Sequence, residues 1–170
     1  YGTITNLEES PLDVDLLYAG TDDGLIQVSE DGGATWREAG RPKGLPEHYY
    51  VNDLLADRFD RNTVYAVIDL HKAGDFRPLI FKSSNLGKSW RSISGDLPER
   101  HIVWRLVQDA VKPGLMFAGT EFGIFVTVDG GEQWVKLKGG MPNIPIRDLV
   151  IQEREVDLVA ASFGREFFVL

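Results

Sequence analysis

The sequence predicts an all-β fold of repeated four-stranded antiparallel units. Three observations predict it. A short Ser/Thr-Asp/Asn-Gly-Trp motif occurs three times. A pair of extended segments accompanies each copy in a fixed register. No stretch of useful length repeats its apolar residues every 3.6 positions, so helix is expected to be nearly absent.

The motif sets the unit. Ser29-x-Asp31-x-Gly33-x-Thr35-Trp36 returns as Ser83-x-Asn85-x-Gly87-x-Ser89-Trp90 and as Thr127-x-Asp129-x-Gly131-x-Gln133-Trp134. The Trp residues lie 54 and 44 positions apart, a period that suits a four-stranded propeller blade. The composition reads as a tight turn. The Gly residues supply φ > 0, and the Asp or Asn accepts backbone N–H groups. The hydroxyls of Ser29, Ser83 and Thr127 pin the same loop, and each Trp lays an apolar surface beneath it. A calcium loop needs several alternating carboxylates; here each turn has one acid, and the second has Asn85. A catalytic residue need occur only once, so a motif in every complete unit reads as structural.

The strands follow in order. Strand A is expected near 2–8, 49–56, 101–108 and 145–152. Strand B falls near 16–20, 63–69, 114–119 and 156–162. Strand C falls near 24–29, 78–83, 123–128 and 166–170. Strand D starts at each Trp, near 35–39, 89–93 and 133–137. Leu7, Leu54, Leu106 and Leu149 align, each eleven residues before Tyr18, Tyr65, Phe117 or Ala160. The units run over 1–44, 45–98, 99–142 and an incomplete 143–170. That makes about three and three-quarter blades, a half-propeller or a small propeller forming one segment. An open blade edge is a liability, so further blades in cis or self-association with a second copy are expected to close the ring.

The pattern resembles the Asp-box, or BNR repeat, of sialidases, sortilin-type receptors and xyloglucanases. LYAGTDDGLIQVSEDGGATW, FKSSNLGKSWRSISGDLP and LMFAGTEFGIFVTVDGGEQW resemble consecutive blades of such bacterial propellers, and VAASFGREFFVL resembles a terminal phrase there. The resemblance implies Asp-boxes on the C–D turns and a ligand face made by the B–C and D–A loops. It also implies a secreted or periplasmic bacterial-type protein. It leaves activity open, because one fold hosts many functions.

Composition narrows the classes. Acidic residues outnumber basic ones, 26 to 18, for a net charge of -8. That argues against a nucleic-acid partner. No apolar run is long enough to span a membrane. There are no Cys residues, and His48, His71 and His101 show no ligand spacing, so no metal and no cofactor are expected.

On the implied ligand face the B–C loops are 21–23, 70–78, 120–122 and 162–165. The D–A loops are 40–50, 95–100 and 139–145. The long second B–C loop carries His71, Asp75 and Arg77, and Arg165 lies in the fourth. The inner strands carry a polar column of Asn6, Asp53, Arg105 and Asp148, preceded by Asn52, Trp104 and Arg147. These residues are candidates for binding a protein or carbohydrate ligand, with Tyr49, Tyr50, Phe76 and Phe122 as aromatic support. The alternative is a glycosidase-like, xyloglucanase-type hydrolase using two carboxylates, from Asp22, Asp23, Asp53, Asp75, Glu121 and Asp148. None of these is marked by its sequence surroundings as a raised-pKa acid. A sialidase is not favoured, because no F/Y-R-I-P phrase precedes the boxes.

Overall fold

A computed structural model describes residues 2–138 and 142–170. The described residues form fifteen strands in four antiparallel sheets. The first holds β1 (Ile4–Ser10), β2 (Asp13–Thr21), β3 (Ile26–Ser29) and β4 (Arg37–Glu38). The second holds β5 (Tyr50–Ala56), β6 (Val64–Leu70), β7 (Asp75–Ser83) and β8 (Arg91–Ser92). The third holds β9 (Val103–Gln108), β10 (Met116–Thr120), β11 (Gly123–Thr127) and β12 (Val135–Lys136). The fourth has three strands, β13 (Ile146–Gln152), β14 (Asp157–Ser162) and β15 (Phe167–Val169). Each sheet follows chain order, and β1, β5, β9 and β13 stack in succession as inner strands. This is the expected run of propeller blades. Helix among the described residues is one 3₁₀ turn, His71–Ala73.

Three details depart from expectation. The outer strands have two residues each rather than five. The motif itself shortens them: in the first blade the Thr35 N–H already donates to Asp31 Oδ1 at 2.8 Å, so the ladder starts beyond the Trp. The 70–78 loop is mostly strand. Gly74, at φ 79°, closes a tight turn, and Leu70 pairs with Asp75, which puts Asp75, Phe76 and Arg77 on β7. The fourth hairpin is one residue short. Leu7, Leu54 and Leu106 oppose Ala19, Ala66 and Ala118, twelve residues on, whereas Leu149 opposes Ala160, eleven on. Equal sequence spacing therefore does not mean equal register. Val159, opposite Val150, is the counterpart of Tyr18, Tyr65 and Phe117.

The core lies between blades. Leu16, Tyr18 and Val28 of the first blade meet Val51 and Leu54 of the second. Tyr65, Val67 and Ile80 meet Val103, Leu106 and Met116. Ile124 meets Ile146 and Leu149. Gly20 permits this approach, since a Cβ there would stand 2.5 Å from Val51 Cγ1.

The repeated turns form one hydrogen-bond pattern. Ser29 Oγ donates to Asp31 Oδ1 at 2.8 Å and accepts the Gly33 N–H at 2.8 Å. Ser83 and Asn85 repeat the first bond at 2.9 Å, and Thr127 and Asp129 at 2.7 Å. The Trp residues differ. Trp90 Nε1 donates to Gly40 O at 2.6 Å and Trp134 Nε1 to Ile93 O at 3.0 Å, each on the preceding blade. Trp36 Nε1 donates to Gly33 O of its own turn, at 3.1 Å. Trp134 is 5% exposed and Trp36 41%. The expectation of equal support from all three Trp residues is corrected: the indole docks on the blade before it, and within this chain none precedes the first.

Candidate functional site

Each inner strand carries an irregularity at the same place. Its register shifts between Ile4 and Asn6, between Val51 and Asp53, between Val103 and Arg105, and between Ile146 and Asp148. The residue inside each shift is Thr5, Asn52, Trp104 or Arg147. The cause is local. In the last three blades Val51 and Leu54, Val103 and Leu106, and Ile146 and Leu149 are buried at a spacing of three; the first blade keeps the spacing and the bulge with Ile4 and Leu7 exposed. A regular strand points residues three apart to opposite faces, so one extra residue must bulge out.

All four bulge residues line one cleft of about 1040 Å³. Asp69, His71, Phe76, Glu121 and Phe122 close it from the B–C side, and Glu99, Arg100, His101 and Ile102 from a D–A connection. The bulge side chains also tie blade to blade. Thr5 Oγ1 donates to Val51 O at 2.7 Å, and Asn52 Nδ2 to Val103 O at 2.8 Å. The Arg147 guanidinium carbon lies 3.5 Å from the Trp104 ring centroid. Trp104 Nε1 donates to Glu121 Oε2 at 3.0 Å.

The cleft aromatics have basic neighbours. Lys72 Nζ lies 5.4 Å from the Tyr50 ring, and the Arg100 guanidinium 5.9 Å from Phe76. His101 stands edge-on to Phe122 at 5.0 Å. Each Phe, Tyr or Trp lining the cleft thus has a basic side chain against it. Among the described residues Arg100 and Arg147 enter no ion pair. Asp69 is buried, accepts the His71 backbone N–H at 2.8 Å, and hydrogen-bonds His71 Nδ1 through its other oxygen. A carboxylate partner there puts a proton on Nδ1.

The sequence-derived candidates fall into separate places. His71 and Trp104 line the cleft. Asp75 and Arg77 form an ion pair on β7 with a shortest contact of 2.6 Å, outside the cleft lining. Asp53 is 1% exposed and lies between blades. Its Oδ1 accepts Asn6 Nδ2 at 3.0 Å and Arg105 Nη1 at 2.8 Å, and its Oδ2 accepts the Leu106 N–H at 2.9 Å. Burial pushes the Asp53 carboxyl up to about 7, against the opposing pull of Arg105. Asp148 is exposed, with Oδ1 3.2 Å from Arg105 Nε. Arg165 is exposed in the β14–β15 turn. Part of the expected third D–A loop, residues 139–141, lies outside the described residues. Asn52 and Arg147, beside the polar column, line the cleft too, while Thr5, Asp69, Glu99, Arg100 and His101 were not among the site candidates. Among the described residues no group of three or more His, Asp or Glu converges as a metal site.

No protein-family model matches the chain. No curated protein matches it. Solved structures do. A GH74 xyloglucanase from Xanthomonas campestris superposes with a TM-score of 0.73 at 13% identity, over 98% of this chain and 28% of its own. YCF48 bound to D1 peptide superposes at 0.69 and 20% identity, over 99% of this chain and 51% of its own. The extracellular domain of BT4673 from B. thetaiotaomicron superposes at 0.72 and 15% identity, over 98% and 21%. At these identities the likeness is one of fold. The chain spans only 22% of an ancestral GH74 enzyme. No described helix is long and apolar enough to cross a membrane.

Proposed function

We propose that this chain is a non-catalytic binding sector of a propeller, holding a protein or carbohydrate ligand in the cleft where the four inner-strand bulges meet. The convergence of Thr5, Asn52, Trp104 and Arg147 on one cleft of about 1040 Å³ carries the reading. Such a volume accommodates a short segment of ligand. Bulges re-aim side chains next to functional sites. That YCF48 has been solved with a D1 peptide supports peptide binding on this architecture. Further blades, in cis or from a second copy, complete the ring in this reading. An extracellular or periplasmic setting accords with the fold shared with an extracellular domain.

The hydrolase alternative draws on the fold shared with GH74 enzymes. It has less support in the cleft. Of the six carboxylates named from sequence only Glu121 lines it, together with Asp69 and Glu99; Asp69 is tied to His71, and Glu121 accepts the Trp104 N–H. Release of reducing ends from xyloglucan tests it directly, and none is expected.

The binding reading is tested by amide chemical-shift mapping of the whole chain against peptide and oligosaccharide mixtures. Shifts are expected at His71, Trp104 and Phe122. Shifts gathered instead at the Asp-box turns, or none with any mixture, would overturn it.

A further inference from the structure

The reading of the cleft as a binding site leaves its ligand chemistry open, and the geometry points to an acidic peptide, seated by one carboxylate on Arg147. This inference rests on the cleft being the ligand site.

The chain as a whole is acidic, with a net charge of -8, and the cleft sets the guanidiniums of Arg100 and Arg147 among three carboxylates, Asp69, Glu99 and Glu121. Two of these acids have partners within the protein: Asp69 has His71, and Glu121 Oε2 has Trp104 Nε1. Arg147 is the free fork. One face of its guanidinium is spent on Trp104, with the Phe163 ring on hand at 5.2 Å. Stacking fixes the plane and leaves the in-plane N–H groups to meet a carboxylate bidentately. The strand behind it is wedged, because Ile146 and Leu149 on either side are buried. Asp148, the nearest acid in sequence, is turned to Arg105 at 3.2 Å.

One feature favours a peptide over an acidic sugar. Asn52 spends its amide N–H on Val103 O, leaving Oδ1 free to accept a main-chain N–H from an extended ligand. A peptide supplies both the N–H and the carboxylate.

The test is fluorescence anisotropy with the whole chain and three labelled probes: hexaglutamate, hexaglutamine and an oligogalacturonate of matching length. Hexaglutamate is expected to bind, hexaglutamine at least about tenfold more weakly, as for loss of a charged hydrogen bond. R147Q should bring hexaglutamate binding down to the hexaglutamine level. R77Q, on the β7 ion pair outside the cleft, should leave it unchanged, and amide spectra of both variants should match the parent. Equal binding of hexaglutamine, indifference to R147Q, or binding of the oligogalacturonate in preference to hexaglutamate overturns the inference. Shift mapping separates the two readings: a ligand that moves His71 and Trp104 resonances without needing Arg147 sinks the acidic-peptide inference and leaves the cleft as the binding site.

Discussion

Leu7 and Leu54 hold the same register position in consecutive inner strands, opposite Ala19 and Ala66, yet Leu7 is 64% exposed and Leu54 1%. The difference is the blade in front. Leu54 packs on the first blade, Leu106 on the second and Leu149 on the third. Ile4 repeats the contrast, being 64% exposed where Val51, Val103 and Ile146 are fully buried. Each blade is therefore half of a core, and its partner half is the next blade.

Stability should follow that division. Leu54→Ala, Leu106→Ala and Leu149→Ala are each expected to cost about 2–5 kcal/mol, as buried Leu truncations do. Leu7→Ala should stay within about 0.5 kcal/mol, as surface changes do, at dilutions where the chain is a single copy. Trp134→Ala should cost about 3–5 kcal/mol, and Trp36→Ala clearly less. Urea melts of the six variants check this. A Leu7 variant as damaging as Leu54 would mean that the first blade is covered in solution.

Covering is also the assembly prediction. Ile4, Leu7 and Trp36 on the first blade and Phe167 and Val169 on the last are exposed apolar groups. Phe167 pairs with Ala161 where buried Ile26 pairs with Gly20, so it offers the next blade the same surface. By light scattering the chain is expected at twice its 19.0 kDa, and Leu7→Glu at 19.0 kDa. A parent chain already at 19.0 kDa removes the second copy and leaves blades in cis as the way to close the ring.

The repeated Ser/Thr-Asp/Asn-Gly-Trp turns predict a tolerated exchange. Asn85 Oδ1 accepts the Ser89 N–H at 2.9 Å, as Asp31 Oδ1 accepts that of Thr35 at 2.8 Å. Asp31→Asn should therefore keep the turn at neutral pH, while Asp31→Ala should weaken it. Hydrogen bonds from Thr35 hold the Asp31 carboxyl below the ordinary carboxylate range. A lowered folded value adds stability above the unfolded value and loses it as pH falls through the folded one. Acid melts should show Asp31→Asn losing less of its stability than the parent on acidification. Parallel acid curves would refute that account.

Much of this fold was legible because the turn chemistry repeats. Gly33, Gly87 and Gly131 all have φ > 0, and the strands fall near their expected places. The cleft was only half legible. His71, Trp104 and Arg147 were named, but the bulges that bring Thr5, Asn52, Trp104 and Arg147 to one cleft were not. The missing signal was present in the apolar-x-polar-Leu runs from Ile4, Val51, Val103 and Ile146. Two buried residues three apart cannot share a face of a regular strand, so the bulge, and with it the re-aimed side chain, follows from the spacing. The one-residue shortening of the fourth hairpin had no such mark, because register is set by pairing and not by spacing alone. Nor did the basic neighbours of the cleft aromatics, since Lys72, Arg100 and Arg147 arrive from different loops and strands.

Asp53 gives the last prediction, on pH. Burial raises its carboxyl from 3.8 to about 7. Between those values the folded chain holds a proton that the unfolded chain has released. Stability from this group therefore falls as pH rises from near 4 through 7, opposite in sign to Asp31. Asp53→Asn removes the titration and keeps one oxygen to accept hydrogen bonds. The stability of the parent relative to this variant should thus be greatest near pH 4 and should shrink by pH 8. Arg105 limits the shrinkage, because its Nη1 at 2.8 Å favours the ionised form. Chemical denaturation of both proteins across that range measures the gap. A gap that widens with pH would show that the Arg105 pairing outweighs burial, and that Asp53 is ionised throughout the range.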